Sequence, residues 1–253
     1  MQYSLQEILA LILLFKVEKI KEKKMISGIY DLMDGSLTQD LRFETIANNI
    51  ANSNTNGFKK DVMSFSQTLD MQSVSKTDFS QGPIRYTGNE LDIALGSKGF
   101  FEAQTPNGIR YTRDGALSIN AQGFLVTANG DNVLGENGPI SVQGGTVSIA
   151  QDGQVSVDNA PMDKLLVVNV DKPELLRKEG SSYYSYQGEN KEISTATDAV
   201  VRQRYLEGSN VNPTQEMIEM IEAFRSFESV EKAIQSIDGS TSKIVNDYGQ
   251  VSQ

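Results

Sequence analysis

Apolar residues recur at helical spacing near the start of the chain, downstream of Met25. Ile29, Met33, Leu37 and Leu41 recur every fourth residue and are followed by Ile46 and Ile50. This spacing predicts an amphipathic helix with a narrow apolar face. We expect the helix to end at residues 52–57, a run of Asn, Ser, Thr and Gly, because these residue types favour turns and caps over helix interiors.

The middle of the chain, about residues 81–205, alternates short β-prone runs with Gly-containing turns. Three dipeptides lie between such runs and predict hairpins: Asp114-Gly115, Asn129-Gly130 and Asp152-Gly153. Residues 165–170 are the most apolar run and predict a central strand. The middle therefore predicts an antiparallel β domain of many short strands.

The end of the chain carries the clearest helical pattern. Asn212 suits the N-cap, Pro213 the first helical position, and Gln215 the closing position of a capping box. Spacings of three and four then repeat through Met220, Ala223, Phe227, Val230, Ile234, Ile237, Thr241 and Ile244. A second apolar strip comprises Met217, Ile221 and Phe224. A helix from Pro213 to about Val245 would be ~50 Å long, too long for one small β domain to cover, so its stripe needs other partners.

These patterns predict an α+β chain, in which N- and C-terminal amphipathic helices, coiled-coil-like when assembled, flank a central antiparallel β domain. The expected segments are the N-terminal helix and Asn-rich loop, a connecting segment, the β domain and the C-terminal heptad helix, at residues 25–60, 61–80, 81–205 and 206–253.

Residues 1–24 form an extension with a different character. Its apolar run, Ile8 to Phe15, is shorter than the ~20 residues that span a bilayer. Lysines follow this run instead of preceding it, which is the wrong order for a secretory signal. We expect translation to begin at Met25, since Lys21-Glu22 can be encoded by a ribosome-binding sequence.

Charge and composition narrow the function classes. The formal net charge of -10 argues against electrostatic binding to nucleic acid or anionic lipid. The chain has no Cys and no His, which excludes disulfides, thiolate chemistry and Ser–His catalysis and removes the commonest metal ligand. We therefore expect no catalytic residues, no cofactor, no metal and no small-molecule substrate.

Six aspartates leave two other classes open, a carboxylate hydrolase and a secreted β-rich protein that binds sugar or calcium. They are Asp92, Asp114, Asp131, Asp152, Asp158 and Asp163. Each lies beside Gly or Asn or at a strand end, where short polar side chains bond to turn backbone. That placement favours a structural role for all six.

Two stretches at opposite ends resemble the paired signatures of the flagellar rod and hook proteins. Residues 46–59 resemble the N-terminal signature, and residues 206–212, continuing into 216–221 and 225–228, resemble the C-terminal one. The middle is also similar, at residues 99–101, 110–115 and 123–127. Within the family the chain is most similar to the proximal rod type, with the distal rod type or another hook or rod axial protein as the alternative.

The resemblance implies a structural subunit of the flagellar basal-body rod. It implies export through the flagellar type III apparatus without a cleaved signal peptide, and assembly in the periplasmic rod with copies of itself and with other rod proteins, without membrane insertion. The signature positions expected to serve assembly are Asn48, Asn49, Asn52, Asn54, Thr55, Gly57, Phe58, Lys59, Leu206, Glu207, Ser209, Asn210, Val211 and Asn212. The helix-stripe positions expected to do so are Met220, Ala223, Phe227, Val230, Ile234, Ile237 and Ile244.

Overall fold

The computed structural model describes residues 32–64, 74–180 and 182–250. The chain divides into two compact units. One unit joins Met1–Ile46 with Met217–Gln253, and the other is Ala47–Glu216. The predicted extension at 1–24 and Ile29 lie outside the described residues.

Two long helices occur near the ends of the described chain. Helix α1 covers residues 32–51 and gives way to turns at 52–57, as the Asn-rich run predicted. Helix α2 is Pro213–Gln250 and extends past the expected end at Val245. Asn212 caps it as predicted, because its Oδ1 accepts hydrogen bonds from the backbone N–H groups of Thr214 and Gln215 at 3.1 and 3.3 Å.

The described part of Ala47–Glu216 contains nineteen short strands and two single 3₁₀ turns, Pro173–Leu175 and Asn190–Glu192. The strands are β1 Asp61–Ser64, β2 Val74–Thr77, β3 Ile84–Tyr86, β4 Ile93–Leu95, β5 Phe100–Thr105, β6 Gly108–Thr112, β7 Leu117–Ile119, β8 Leu125–Thr127, β9 Asn132–Gly135, β10 Gly138–Pro139, β11 Val147–Ile149, β12 Gln154–Val157, β13 Ala160–Lys164, β14 Val167–Val170, β15 Leu176–Lys178, β16 Tyr183–Tyr186, β17 Ile193–Thr195, β18 Val201–Gln203 and β19 Tyr205–Glu207.

Strand pairing is antiparallel throughout the described sheets, as predicted. The largest sheet runs β15-β16-β6-β5-β9-β8-β7, with β10 added to β9, and with β14 lying between β5 and β17. A three-stranded sheet is formed by β11-β12-β13. The pairs β3–β19 and β4–β18 join the early strands of this unit to its last ones. The connecting segment 61–80 contributes a further pair, β1–β2.

Two of the three predicted hairpins are confirmed. Asn129-Gly130 connects β8 to β9, and Asp152-Gly153 connects β11 to β12. The Asp114-Gly115 hairpin is wrong, because β6 pairs with β5 and β16 whereas β7 pairs with β8. The backbone N–H of Ile93 donates to the Gly115 carbonyl at 3.0 Å, and a Cβ atom on Gly115 would overlap the Ile93 carbonyl oxygen. This glycine permits two backbones to approach closely.

Two apolar clusters form the core of the β-rich unit. The larger one contains aliphatic side chains together with Phe101, and the smaller one contains Phe100, Tyr111, Val168, Leu176 and Tyr184. Strand β14 contributes Val167 to the first and Val168 to the second. Strand β14 also pairs with a strand on each side, which confirms the predicted central strand, although it begins at Val167 and not at Leu165.

Candidate functional site

The turn-rich segment after α1 is hydrogen-bonded to β19 and to the residues that follow it. Gly57 N donates to the Glu207 carbonyl at 2.8 Å. Lys60 N donates to Asn210 Oδ1 at 2.7 Å, and Asn210 N donates to the Phe58 carbonyl at 3.3 Å. Lys60 and Asn210 are 150 residues apart in sequence. Residues 57–60 and 207–210, from the two ends of the sequence, therefore lie side by side within Ala47–Glu216.

A buried ionic cluster joins these two stretches to the crossover between β6 and β7. Lys59 Nζ lies 2.5 Å from Glu207 Oε1, and both side chains are fully enclosed. Arg113 Nη1 lies 3.3 Å from Glu207 Oε2. Lys59 Nζ also donates to the Ser80 carbonyl at 2.7 Å, and Gly82 N donates to Glu207 Oε1 at 3.0 Å. One carboxylate is thus shared by two cations and a backbone N–H.

Burial governs the electrostatics of this cluster. Desolvation lowers the pKa of Lys59, and the Glu207 carboxylate opposes that change. The pKa of Arg113 is lowered for the same reason, again against the attraction of Glu207. Because the Lys59 and Glu207 side chains are closed to solvent, the pair holds chain segments together and has no access to a substrate.

A second buried group lies where α1 ends and α2 begins. The Asn49 side chain donates from Nδ2 to the Asp61 carbonyl at 2.8 Å and to Glu216 Oε2 at 3.1 Å. Asp61 N donates back to Asn49 Oδ1 at 3.0 Å. Lys60 Nζ lies 3.7 Å from Glu216 Oε1. One amide side chain therefore links the last turn of α1, strand β1 and the first turn of α2.

Most predicted signature positions are enclosed within this unit. Besides Asn49, Lys59 and Glu207, the buried ones are Gly57, Phe58, Leu206, Ser209 and Val211. Three positions are half-buried: Asn52, Thr55 and Asn210. Three are exposed: Asn48, Asn54 and Asn212. The enclosed side chains bond or pack inside their own chain, and the role of the signature in assembly stays a prediction.

Sequence reasoning missed three partners of this network: Arg113, Glu216 and Asp61. Arg113 belongs to a run interpreted as a turn, and nothing in its local pattern shows that its side chain is buried. Glu216 occupies the first turn of α2, where an acidic residue fits the positive end of the helix dipole equally well. Only the long-range pairing reveals their roles.

Helix α2 presents two different apolar surfaces. In the predicted stripe, Ala223 is buried. Five further positions of the stripe are half-buried: Met220, Phe227, Val230, Ile234 and Ile237. The side chain of Ile244 lies outside those that the structure describes. The second strip, Met217, Ile221 and Phe224, is exposed together with Ile218.

Helix α1 also exposes apolar side chains. Met33, Leu37 and Leu41, from the predicted stripe, are exposed along with Phe43, whereas Ile46 is buried. Fourteen large apolar side chains are exposed in the described part of the chain, and these four and the four on α2 make up eight of them. The largest concentration of exposed apolar surface therefore lies on the two terminal helices.

The aspartates considered above form local hydrogen bonds. Asp114 Oδ1 accepts from Ala116 N at 3.0 Å, Asp152 Oδ1 from Gln154 N at 3.1 Å, and Asp158 Oδ1 from Thr146 N at 2.9 Å. Asp131 accepts from the Tyr183 hydroxyl at 2.8 Å. Among the described residues, no three acidic side chains come together in a way that could hold a metal ion. The described helices also include none with the length and apolarity to cross a membrane.

Three family models match successive parts of the chain. The flagella basal body rod protein model matches residues 30–59, the D1 domain model of the flagellar hook protein FlgE/F/G matches residues 94–157, and the C-terminal model of the flagellar basal body rod FlgEFG protein matches residues 202–247. The first and last of these matches contain the two signature stretches that the structure brings together.

Curated relatives align along most of the chain. The flagellar basal-body rod protein FlgF of Caulobacter vibrioides is 35% identical over 211 residues, which cover 76% of this chain and 86% of the relative. FlgF of Salmonella typhimurium is 32% identical over 240 residues, covering 85% and 95%. FlgG of Bacillus subtilis is 30% identical over 261 residues, covering 88% and 99%. The chain therefore belongs to the flagellar basal-body rod protein family, as a FlgF-like structural subunit of the rod and not an enzyme.

Proposed function

We propose that this rod subunit is incorporated by burying the exposed apolar faces of its terminal helices against neighbouring subunits. The observation that carries the proposal is the concentration of exposed large apolar side chains on α1 and α2. Isolated exposed apolar residues are ordinary, but repeated ones along a helix face mark a surface that becomes covered.

Burial of these apolar side chains would release enough free energy to drive assembly. Burial stabilises by ~25 cal/mol per Å², so completing the burial of one half-exposed Leu, Ile, Met or Phe contributes about 1 kcal/mol. Eight such side chains contribute on the order of 8 kcal/mol per subunit, against the entropy lost on association. Contacts repeated around neighbouring subunits would raise this further, since every copy offers the same faces.

The resemblance and the relatives support a fuller account of the same proposal. The terminal helices form a coiled-coil-like inner tube of the periplasmic rod. The partners are copies of this chain and other rod proteins, and the route is the flagellar type III export apparatus. After export, neighbouring subunits cover the exposed apolar faces of these helices.

The experiment is a substitution on the exposed strip of α2. Phe224→Asp places a charge on a side chain that is 54% exposed, so the isolated subunit should keep its stability within about 0.5 kcal/mol. In a strain lacking the native gene, incorporation into purified hook–basal bodies should fall at least ten-fold, as measured by immunoblot.

The matched control is Met162→Asp, on strand β13 of the β-rich unit, where the side chain is 51% exposed. This variant should be incorporated normally. Equal incorporation of both variants, with both folded by circular dichroism, would refute the terminal-helix proposal.

A further inference from the structure

A cavity of about 910 Å³ lies within Ala47–Glu216, beside the β1–β2 pair. Apolar side chains form much of its wall: Val62, Met63, Phe79, Phe100, Val170 and Pro173. Its volume is in the range of protein sites that enclose a ligand or several side chains.

The cavity also contains a buried cation with unused donors. The Arg113 residue is 4% exposed and lines the cavity. Its Nη1 donates to the Ser97 carbonyl at 2.9 Å and to Glu207. Within the described chain, Nε and Nη2 donate to no acceptor, and the one fully enclosed side-chain polar atom without a partner is Gln39 Oε1. The guanidinium also lies over the ring of Phe100, another residue of the cavity wall, with Cζ 5.6 Å from the ring centroid. Arg113 therefore lines the cavity with two donor nitrogens that have no acceptor within the described chain.

Two cations at this wall share one close carboxylate, and Asp78 adds a further negative charge near Lys59. The Glu207 carboxylate that faces Arg113 also neutralises Lys59. A guanidinium presents its donors in a planar fork that matches the two oxygens of a carboxylate. An incoming carboxylate would therefore accept hydrogen bonds from the free donors of Arg113.

The rim of the cavity carries charges of both signs: Lys76, Lys98, Asp78, Glu174 and Asp198. An apolar centre, a buried arginine and a mixed polar rim are the usual arrangement of a protein–protein contact. A free fatty acid would use the centre but would leave the rim without partners. The rim therefore favours a polypeptide occupant.

We propose that this cavity binds a side-chain carboxylate, flanked by apolar residues, from a neighbouring rod subunit, and that Arg113 is its recognition residue. The inference rests on the proposed function, because it assumes a neighbouring subunit. It assigns a second contact, separate from the terminal helices.

The solution test titrates the full-length subunit with acetyl-Leu-Asp-Leu-amide and with the matched Asn peptide, followed by amide NMR shifts. The Asp peptide should bind at least ten-fold more tightly and shift the amides of Phe79, Phe100 and Val170. Equal affinities, no binding, or shifts confined to other residues would overturn the proposal. Tighter binding of decanoate than of either peptide would also overturn it, in favour of a site for small acids.

Two variants connect this preference to the cavity. Arg113→Lys keeps the charge and removes the fork, so it should reduce the Asp-to-Asn ratio at least five-fold. Val62→Trp narrows the cavity without altering Arg113, and should weaken binding of the Asp peptide at least ten-fold. Ile119→Trp, at an exposed position of β7, is the control and should bind like the native chain. Unchanged binding in Val62→Trp would refute the assignment.

A test in the rod uses a photo-crosslinking residue in place of Val62, with the same residue at Ile119 as control. The Val62 adduct should contain a rod subunit, joined at a segment with Asp or Glu beside apolar residues. Incorporation without such an adduct would overturn this inference and leave the terminal-helix proposal intact. Failure of the terminal-helix proposal appears separately, as normal incorporation of Phe224→Asp.

Discussion

At the scale of single residues, two charged groups of the signatures are buried inside the chain together with Arg113. Lys59, Glu207 and Arg113 are buried together, and desolvation lowers the pKa of both cations. Burying such a cluster costs desolvation energy, and removing one of its members leaves an uncompensated buried charge, which is strongly destabilising. The cluster therefore selects one arrangement of the segments that carry it.

The first prediction concerns Glu207→Gln, which removes the charge shared by Lys59 and Arg113. Two buried cations would then lack a carboxylate, and the free energy of unfolding should fall by about 3–5 kcal/mol. The matched control is Glu90→Gln, because Glu90 forms an exposed pair with Arg204 at 2.8 Å; it should cost less than about 1 kcal/mol. Urea denaturation of both variants gives the comparison, and similar losses would contradict the prediction.

Glu102 is a buried carboxyl of a different kind. It is 7% exposed on β5, opposite Tyr111, and its side chain forms no hydrogen bond or ion pair among the described residues. Burial raises its pKa above the ordinary carboxyl value. A raised carboxyl pKa in the folded state means that stability is highest below the unfolded-state pKa and falls as pH rises through the folded-state pKa.

The second prediction follows from that sign. Glu102→Gln keeps the shape and removes the titration, so it should raise the free energy of unfolding at pH 7 by about 1 kcal/mol. The gain over the native chain should shrink toward pH 4, where Glu102 is increasingly protonated in both states. Thermal melts from pH 4 to pH 8 measure this, and a gain that is constant across that range would contradict it.

The sequence identified Lys59 and Glu207 as members of two signatures but could not identify them as partners. Their separation of 148 residues leaves no local periodicity that connects them. Arg113 was not identified for the same reason, because its burial depends on pairing between strands that are far apart in sequence. By contrast, Asn212 was predicted as a cap because its partners lie two and three residues away.

At the scale of elements, turn residues predicted the hairpins correctly where the two-residue turn directly connects the paired strands. Gly130 and Gly153 adopt φ values of 88° and 89°, the left-handed region that an Asn-Gly or Asp-Gly hairpin requires. Asp158-Asn159, between β12 and β13, also has two positive φ values, 49° and 67°. It was missed because neither residue is glycine.

The third prediction separates two uses of glycine. Gly115→Ala should destabilise the β-rich unit by roughly 3 kcal/mol, since its methyl group meets the Ile93 carbonyl. Gly239→Ala should stabilise α2 by about 1 kcal/mol, because Gly239 lies in a helix with open space at its Cβ position. Circular dichroism melts distinguish the two, and equal effects of the same sign would refute the distinction.

At the scale of the whole molecule, the two units differ in how their apolar surface is covered. The β-rich unit encloses two clusters, whereas both helices expose large apolar side chains. The predicted division into terminal helices and a central β region is confirmed at this level. The coiled-coil-like state of the helices stays a prediction, since it requires neighbours.

The fourth prediction concerns amide hydrogen exchange. Amides of α2 from 217 to 240 should exchange at least ten-fold faster than those of β5 and β14, which are paired on both sides. In isolated rods the helical amides should gain protection, while the β5 and β14 amides serve as an internal control. Equal protection of helix and sheet in the free subunit would contradict this prediction.

The pairing of Lys59 with Glu207 also dictates when the chain can finish folding. A chain that emerges from its N-terminal end presents the ammonium group 148 residues before the carboxylate, and burying that group alone is unfavourable. Strand β3 likewise cannot pair until β19 is present, and β4 cannot pair until β18 is present. A product broken off before Glu207 would lack both this carboxylate and a complete β19, so we expect the unit to stay open and sensitive to proteases in such a fragment.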